Sequence, residues 1–294
     1  MCMEYHLINI KTRSLVPPPK KTFLGSTIRG SLGKFLKDIS CILPSADCDE
    51  CPFVSSCLYH DLYGRDQSLP KDIRFDIVLD SKNFDFGIYV FGNANIIIRP
   101  LVQAIINMLN ANVLTEHNYT FPNSIIYVDG RQLAVDRFGH LLGFELNPMR
   151  LEINSRYIPS QVEIKLVTPL ILKYKKEDFS TNEEYLSKKK NFKSIEDITI
   201  KDILWSILWR KSYYANRVRP KVAVPSTGHI KFQKYLEYIN IRRLKTDDPI
   251  SGVIGKIIVN NLDAYSYEIL KWGEILGVGK KTVFGAGKIL LKEL

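Results

Sequence analysis

The end of the chain concentrates residue types that bind phosphate. Four glycines in a G-x-G-x5-G-x-G pattern alternate with three lysines: Gly277, Gly279, Lys280, Lys281, Gly285, Gly287 and Lys288. Glycine lets a backbone adopt positive φ and lets a ligand come close to main-chain amides. Lysine adds the positive charge that attracts phosphate. We therefore expect a glycine-rich loop, residues 277–287, that binds phosphate groups.

The spacing differs from the two familiar nucleotide motifs. A P-loop requires G-x-x-x-x-G-K-[ST] between a strand and a helix, but Lys281 follows Gly279-Lys280 and Ile289 follows Gly287-Lys288. A dinucleotide fingerprint opens the helix of a βαβ unit, and only seven residues remain after Gly287. The pattern predicts a helix, a glycine loop and a last short strand. A helix C-cap followed by a bulged hairpin is the purely structural alternative.

Four of the five cysteines lie within seventeen residues, at Cys41, Cys48, Cys51 and Cys57. The first residues lack the basic and apolar regions of a secretory leader, so we expect a cytoplasmic protein with reduced thiols. Cys48 and Cys51 have the spacing of a zinc ligand pair, and four thiolates suit a closed, structural zinc site. An iron–sulfur cluster, or cysteines that are merely buried or disulfide-bonded, are the alternatives. We predict structural zinc in this cysteine insert, residues 41–57.

Positive charge is concentrated in the second half of the chain. The net charge is +10 over 294 residues. Residues 1–155 hold 15 Lys and Arg against 16 Asp and Glu, whereas residues 156–294 hold 26 against 15. A one-sided basic surface predicts a polyanionic partner, either nucleic acid or an anionic membrane surface, with a solvated lysine-rich surface as the alternative. The sequence contains no run of eighteen apolar residues, which excludes an ordinary membrane span.

Two basic segments of the second half interleave cations with tyrosines. The first carries Arg210, Lys211, Arg217, Arg219 and Lys221 with Tyr213 and Tyr214, and the second carries Arg242, Arg243 and Lys245 after Tyr235 and Tyr238. Cations bind phosphates and aromatic rings stack on bases, so this composition suits single-stranded or hairpin RNA. Ordinary helix and strand surfaces are the alternative.

Hydrophobic spacing predicts the elements that position these residues. In the first half it predicts a strand, a helix, two strands, a helix and a hairpin: residues 4–13, 23–39, 73–79, 86–91, 96–109, and 124–128 with 132–135. In the second half it predicts a strand, a mobile charged loop, a helix, two strands, a helix and a last strand: residues 161–173, 175–197, 200–216, 222–238, 252–259, 262–276 and 289–291. The order β, α, β, β, α, β thus occurs twice. It predicts an α+β protein with tandem ferredoxin-like (βαββαβ) domains over residues 1–155 and 160–294, each an antiparallel sheet with helices on one face.

Several patterns together resemble the CRISPR-associated endoribonucleases of the RAMP superfamily, which process precursor RNA. The glycine loop matches that family's G-x-G-x5-G-x-G pattern, and the first helix with the cysteines after it is similar to a G-x-x-x-R-G-x-x-G helix in a cysteine-bearing branch. The further matching residues are Gly25, Arg29, Gly30 and Gly33 of that helix, Thr168-Pro169-Leu170, Tyr238 to Arg242, and Gly252-Val253-Ile254-Gly255. The resemblance is strongest over residues 160–294, good over 20–65 and weak over 70–155.

The resemblance implies a protein that binds CRISPR repeat RNA and cuts it once per repeat without metal. The ribose 2′-OH would attack the adjacent phosphate, which requires a base, an acid for the leaving 5′-oxygen and cations for the developing charge. It also implies that the glycine loop forms the floor of an RNA groove, with its amides and lysines facing phosphates. Other CRISPR effector subunits and a second copy of the chain are further candidate partners.

Histidine is the natural first choice for the base, because it titrates near neutral pH. In the family the active histidine tends to follow the first helix, where this chain has His60. Tyr59 or Tyr63 would assist His60, and Lys34 or Lys37 would hold the phosphate. His60 as a polar residue beside a zinc site is the alternative. His229 is a second candidate, and His6, His117 and His140 are expected to be bystanders.

Two other functions fit the same residues. A non-catalytic RAMP subunit that holds crRNA in an effector complex would share the fold and the glycine loop. The first helix lacks the histidine that some family members carry there, which leaves that reading open, together with a cut assisted by lysine or tyrosine. A zinc-dependent nucleic-acid enzyme or regulator would instead use the cysteine insert.

Overall fold

The chain forms two compact units. The computed structural model describes residues 3–12, 18–20, 22–43, 47–64, 69–80, 83–111, 121, 124–136, 140–151, 157–188, 191–243 and 248–294. The first unit comprises Met1–Leu151 with Arg242–Asp248, and the second comprises Glu152–Ile241 with Pro249–Leu294. Two residues of the sequence analysis, His117 and Lys245, lie outside the described ranges. No helix in those ranges is long and apolar enough to cross a membrane.

The first unit has the predicted ferredoxin-like topology. Its elements are β1 (Glu4–Lys11), β2 (Thr22–Phe23), α1 (Gly25–Ser40), α2 (Leu58–Tyr63), β3 (Ile73–Asp76), β4 (Phe86–Val90), α3 (Ala94–Asn110), β5 (Ile125–Val128), β6 (Arg131–Gln132) and β7 (Met149–Arg150). The sheet order is β3-β4-β1-β5-β6, with antiparallel neighbours, and β7 pairs with β1. Strands β1, β3, β4 and β5, with α1 and α3 between them, therefore form one βαββαβ sandwich.

The core of the first unit lies between the sheet and helices α1 and α3. Ile8 and Ile10, two positions apart on β1, are fully buried on one face of the sheet. Leu32 of α1 and Ile98 and Ile105 of α3 belong to the same buried cluster. Each such side chain contributes about 1.5–3 kcal/mol relative to an exposed position. This packing fixes α1, and with it the start of the cysteine insert.

The second unit repeats the topology. Its elements are β8 (Gln161–Leu170), α4 (Asn182–Lys188), α5 (Ile200–Asn216), β9 (Lys231–Arg243), β10 (Ile250–Asn260), α6 (Ala264–Leu276) and β11 (Ile289–Glu293). The order β11-β8-β10-β9, all antiparallel, is the same permutation of strands as in the first unit. The fold prediction of tandem ferredoxin-like sandwiches is therefore confirmed. The last residues of β9, Arg242 and Arg243, belong to the first unit and pair in parallel with Thr22 and Phe23.

The strand expected over residues 222–238 begins later, at Lys231. Alternating valines at 222 and 224 suggest a strand, but Pro220 and Pro225 flank them. Proline has no N–H to donate to a sheet ladder, and it restricts the residue before it. Residues 219–226 accordingly have no regular structure.

The charged segment 175–197 was expected to be a mobile loop, but its described residues, 175–188 and 191–197, are folded. It contains a 3-10 turn at Lys176–Asp178 and helix α4. The buried ammonium of Lys193 lies 2.9 Å from carboxylate oxygens of both Asp178 and Asp202. Burial opposes the charge of Lys193, but its two carboxylate partners outweigh that effect and raise its pKa. Hydropathy does not reveal an anchor made of charges, which is why the sequence analysis missed it.

Candidate nucleic-acid interface

The glycine loop begins where α6 ends, at Leu276. Its four pattern glycines, Gly277, Gly279, Gly285 and Gly287, all have positive φ, between 69° and 88°. Glycine is the residue that adopts this conformation without strain. The pattern is therefore first of all a backbone requirement, and Gly277 directly follows the last helical residue, as a C-cap glycine does.

Two of these glycines also have no room for a side chain. A Cβ at Gly279 would lie 2.4 Å from the carbonyl oxygen of Ile171, and a Cβ at Gly287 would lie 1.8 Å from that of Val278. Both neighbours are backbone atoms, which a rotamer change cannot move. The loop is thus closed on itself and against the end of β8.

The amides of the loop are largely used inside the protein. Nine of them donate to internal acceptors: those of Gly277, Val278, Gly279, Lys280, Phe284, Gly285, Ala286, Gly287 and Lys288. The expectation that the amides of this loop face RNA phosphates is therefore wrong for these nine. Their hydrogen bonds hold a rigid backbone, and the lysine side chains are what this part of the loop can offer a phosphate.

Thr168 connects β8 to the loop. It is fully buried, and its hydroxyl donates to the carbonyl of Gly285 and accepts from the amide of Lys288, both at 2.8 Å. Pro169 adds its carbonyl, which accepts from the amide of Gly287 at 3.0 Å. The Thr168-Pro169-Leu170 pattern is thereby explained as the strand end that supports the glycine loop.

We predict that Thr168→Val destabilises the second unit by about 1–3 kcal/mol, because it leaves a buried carbonyl and a buried amide without partners. Thr168→Ser keeps the hydroxyl and serves as the control. Urea unfolding of both variants measures the difference, and equal unfolding midpoints would show that the hydroxyl is dispensable.

Arg210, expected to bind RNA, instead supports the loop from inside. Its side chain is buried, and its guanidinium donates to the carbonyls of Ser206, Gly277 and Gly279. The hydroxyl of Ser206 accepts from Arg210 at 2.9 Å and from the amide of Gly279 at 2.8 Å. A serine and an arginine four residues apart share one face of a helix, which is the signal in the sequence that could have identified this pair.

Arg210→Ala is expected to destabilise the second unit by about 2–4 kcal/mol, since several buried carbonyls lose a charged donor. Lys211→Ala is the matched control on the next residue. Lys211 makes a partly exposed ion pair with Glu268 at 2.6 Å, and such pairs contribute at most about 1 kcal/mol. If thermal unfolding shows equal losses for the two variants, the supporting role of Arg210 is refuted.

The other cations expected to bind RNA lie in different settings. Arg217 has a left-handed backbone, ends α5 and lies over the ring of Tyr214 at 5.5 Å. Lys280, Arg219 and Arg242 are exposed, and Lys281, Lys288, Lys211 and Arg243 are half-buried. Partial burial, followed by the charges of Arg210 and Lys173, lowers the pKa of Lys280. The structure places Arg210 and Lys173 close enough to Lys280 of the glycine loop to act on its charge.

The candidate catalytic residues of the first unit lie on α2 and α1. His60 is half-buried on α2. Tyr59 and Tyr63 stack with their ring centres 5.4 Å apart, and the Lys37 ammonium lies 5.9 Å from the Tyr59 ring. Lys34 is exposed on α1. The structure thus brings Lys37 of α1 close to Tyr59 of α2, the helix that carries His60.

Two residues of the glycine–arginine pattern of α1, Arg29 and Gly33, contact α2 and fix its position. The Arg29 guanidinium donates to the carbonyl of Leu62 at 2.9 Å and lies 4.1 Å from the centre of the Tyr63 ring. A Cβ at Gly33 would meet the Tyr63 ring at 2.5 Å. Burial lowers the pKa of Arg29 and raises that of Tyr63, so Tyr63 stays protonated. Arg29 and Gly33 therefore position the helix that carries His60.

The four cysteines of the insert are not gathered into one cluster of metal ligands in this structure. Cys41, Cys48, Cys51 and Cys57 are free and half-buried, and two 3-10 turns, Cys48–Glu50 and Val54–Ser56, separate them. In the described part of the chain, no three Cys, His, Asp or Glu side chains come together as metal ligands. This arrangement gives no support to structural zinc in the cysteine insert, which stays a prediction.

The other three described histidines, His6, His140 and His229, pair with carboxylates. His6 is buried, and its Nδ1 lies 2.7 Å from Asp129 on the turn between β5 and β6. His229 and His140 are exposed beside Asp263 and Asp136, at 3.3 Å and 3.2 Å. Asp263 also caps the first turn of α6, so His229 lies beside a structural carboxylate.

Two family models match the chain. One, described as an N-terminal domain, matches residues 4–129, and the other, described as the CRISPR-associated endoribonuclease Cas6, matches residues 164–289. An uncharacterized protein of Archaeoglobus fulgidus is 37% identical over 71 residues, which are 23% of this chain and 24% of that protein. The match to this relative spans about a quarter of its length.

Solved Cas6 structures share the fold over nearly the full length. A Cas6 product complex of Thermus thermophilus has a TM-score of 0.55 at 12% identity and covers 99% of both chains. A Cas6 histidine-to-alanine variant has a TM-score of 0.50 at 10% identity and covers 98% of this chain and 99% of that chain. At these identities the likeness concerns the fold. The family model adds that residues 164–289 match the CRISPR-associated endoribonuclease Cas6, in agreement with the resemblance found in the sequence.

Proposed function

We propose that this protein binds CRISPR repeat RNA and cuts the precursor transcript once per repeat, which releases mature crRNAs. The observation that carries the proposal is the Cas6 match over residues 164–289. Those residues include the glycine loop and most of the strands and helices that support it. The net charge of +10, concentrated in the second half, supplies attraction for the RNA backbone.

The reaction we propose is an attack by the ribose 2′-OH on the neighbouring phosphorus. A new bond forms between the 2′-oxygen and phosphorus, and the bond from phosphorus to the 5′-oxygen breaks. A base takes the proton of the 2′-OH and an acid donates a proton to the departing 5′-oxygen. The products are a 2′,3′-cyclic phosphate and a free 5′-OH, and the reaction itself requires no metal ion.

We assign the proton transfer to His60, on α2 of the first unit. Histidine is the side chain that can both take up and release a proton near neutral pH, so it can serve as base or as acid. Tyr59, the residue before His60, and Lys37 of α1, whose ammonium lies 5.9 Å from the Tyr59 ring, would stabilise the charge that develops on the phosphate. Lys34, exposed on the same helix as Lys37, is a further phosphate ligand in this proposal.

A single 2′-deoxy substitution tests this chemistry. The all-ribose repeat RNA should be cut in EDTA, and the same RNA with a deoxyribose at the scissile nucleotide should be bound but left intact. Treatment of the upstream product with acid should convert its cyclic phosphate to a terminal phosphomonoester. Cutting of the deoxy RNA would show that water or another nucleophile attacks, and the proposed mechanism would then fail.

A further inference from the structure

The chain that follows β8 passes directly beside the glycine loop. The amide of Lys280 donates to the carbonyl of Ile171 at 2.7 Å. Two residues further on, the backbone of Lys173 forms an isolated antiparallel bridge with Phe192. The glycine loop, residues 171–173 and Phe192 therefore occupy one end of the second unit.

Two lysine side chains lie at this end and repel each other. Lys173 and Lys280 are both exposed, and the two charged groups that act on Lys280 are both cations, Arg210 and Lys173. The guanidinium of Arg210 is committed to loop carbonyls. An anion placed at Lys173 and Lys280 would relieve their repulsion, which is the electrostatic condition for a phosphate site.

An exposed aromatic ring lies beside Lys173. The Phe192 ring is 45% exposed, and the Lys173 ammonium lies 5.9 Å from its centre. The next residue, Lys193, is fixed by its buried ion pairs with Asp178 and Asp202 and by its amide, which donates to the carbonyl of Leu172 at 2.8 Å. Phe192 is therefore held out to solvent on a fixed backbone.

We propose that Lys173, Lys280 and Phe192 form a subsite for one nucleotide of single-stranded RNA. A phosphate lies between the two ammonium groups, and the adjacent base stacks on the exposed face of Phe192. The ring selects an unpaired strand, because a base in a duplex is already stacked on its neighbours. This inference rests on the proposed RNA-binding function and assigns part of it to Lys173 and Phe192, which the sequence analysis did not select.

The test is a binding titration with a fluorescent single-stranded oligouridine and with the same strand made abasic. Lys173→Ala and Phe192→Leu are compared with two exposed controls of the same unit, Lys201→Ala and Tyr265→Leu. Phe192→Leu should weaken oligouridine binding about tenfold, since one base–ring stack is lost. It should leave abasic RNA binding unchanged. Lys173→Ala should weaken binding of both strands and reduce the slope of log affinity against log salt by about 0.7, the value for one phosphate contact in single strands.

The outcomes separate this subsite from the proposed function. If the wild-type protein binds RNA while Phe192→Leu and Lys173→Ala behave like their controls, the subsite is refuted and the proposed function stands. If the predicted losses appear but repeat RNA is never cut, the subsite stands and the endonuclease proposal fails. If the wild-type protein binds neither strand at low salt but cuts repeat RNA, the subsite is refuted and the proposed function stands. Equal losses for oligouridine and abasic RNA with Phe192→Leu would also refute the stacking role, and thermal unfolding checks that each variant is folded.

Discussion

His60→Ala is expected to reduce cleavage of repeat RNA by about 10²- to 10⁴-fold, the usual contribution of a positioned general acid or base. The affinity for the RNA should not change, because the proposed binding residues of the glycine loop belong to the second unit. Single-turnover cleavage with excess protein measures the chemical step, and a filter-binding titration measures the affinity.

His140→Ala is the matched control for His60→Ala. His140 is an exposed histidine of the same unit, and it pairs with Asp136 at 3.2 Å. It should cleave at the wild-type rate. Full activity of His60→Ala would remove His60 from the mechanism, and Tyr59 and Lys37 would then be the residues to replace next. Equal losses in both variants would point to a general effect on the first unit rather than to proton transfer.

The largest expected effect on stability belongs to Gly287→Ala, with a loss of about 3–5 kcal/mol in the free energy of unfolding. Gly287 has a φ of 70°, and an added Cβ would lie 1.8 Å from the carbonyl oxygen of Val278. Because that carbonyl belongs to the backbone, no change of side-chain rotamer can remove the clash. The substitution must therefore displace the backbone of the glycine loop just before β11.

Gly228→Ala provides the comparison for Gly287→Ala. An added Cβ at Gly228 meets no atom within 4 Å, and the change in the free energy of unfolding should stay within about 0.5 kcal/mol. Urea unfolding monitored by tryptophan fluorescence is suitable, because all three tryptophans, Trp205, Trp209 and Trp272, lie in the second unit. A loss below about 1 kcal/mol for Gly287→Ala would show that the loop has more freedom than its hydrogen bonds indicate.

The elements of the fold were readable from the sequence because hydrophobic spacing determines them. Helix α5 was predicted over residues 200–216 and occupies Ile200–Asn216, where Thr199 caps its first turn and the apolar positions repeat at helical spacing. Because the order β, α, β, β, α, β occurs twice, it predicted two ferredoxin-like sandwiches. The strand before Lys231 failed because two prolines override an alternating pattern that otherwise favours β structure.

The candidate site was harder to predict from the sequence than the fold, because the role of a polar residue depends on the groups that it contacts in the folded protein. Arg210 and Lys211 are neighbours with the same charge in the sequence, yet one donates to buried loop carbonyls and the other pairs with Glu268. The glycines likewise suggested amides that face a ligand, whereas Thr168 and Ser206 hold parts of the loop internally. Lys193 and Phe192 lie in a segment whose charges suggested mobility. The segment is held by ion pairs of Lys193 with Asp178 and Asp202, and hydropathy does not reveal such pairs.

The glycine loop is a rigid support for lysine side chains rather than a loop whose backbone amides bind an anion. Its positive-φ glycines allow a tight path, its amides close that path, and Thr168, Ser206 and Arg210 fix it to β8 and α5. Lysine side chains then project from a rigid backbone. A rigid frame loses little conformational entropy when RNA binds, which suits a surface that must hold one register on a repeat.

The most direct measurement of the proposed function uses a transcript with two repeats and one intervening spacer, incubated with the purified protein in excess EDTA. We expect one cut at the same position in each repeat, which releases the spacer with repeat-derived ends, and no cut in a transcript whose repeats are scrambled. A two-repeat transcript that is bound tightly and specifically but stays intact would contradict the proposed cleavage and identify a non-catalytic RNA-binding subunit instead.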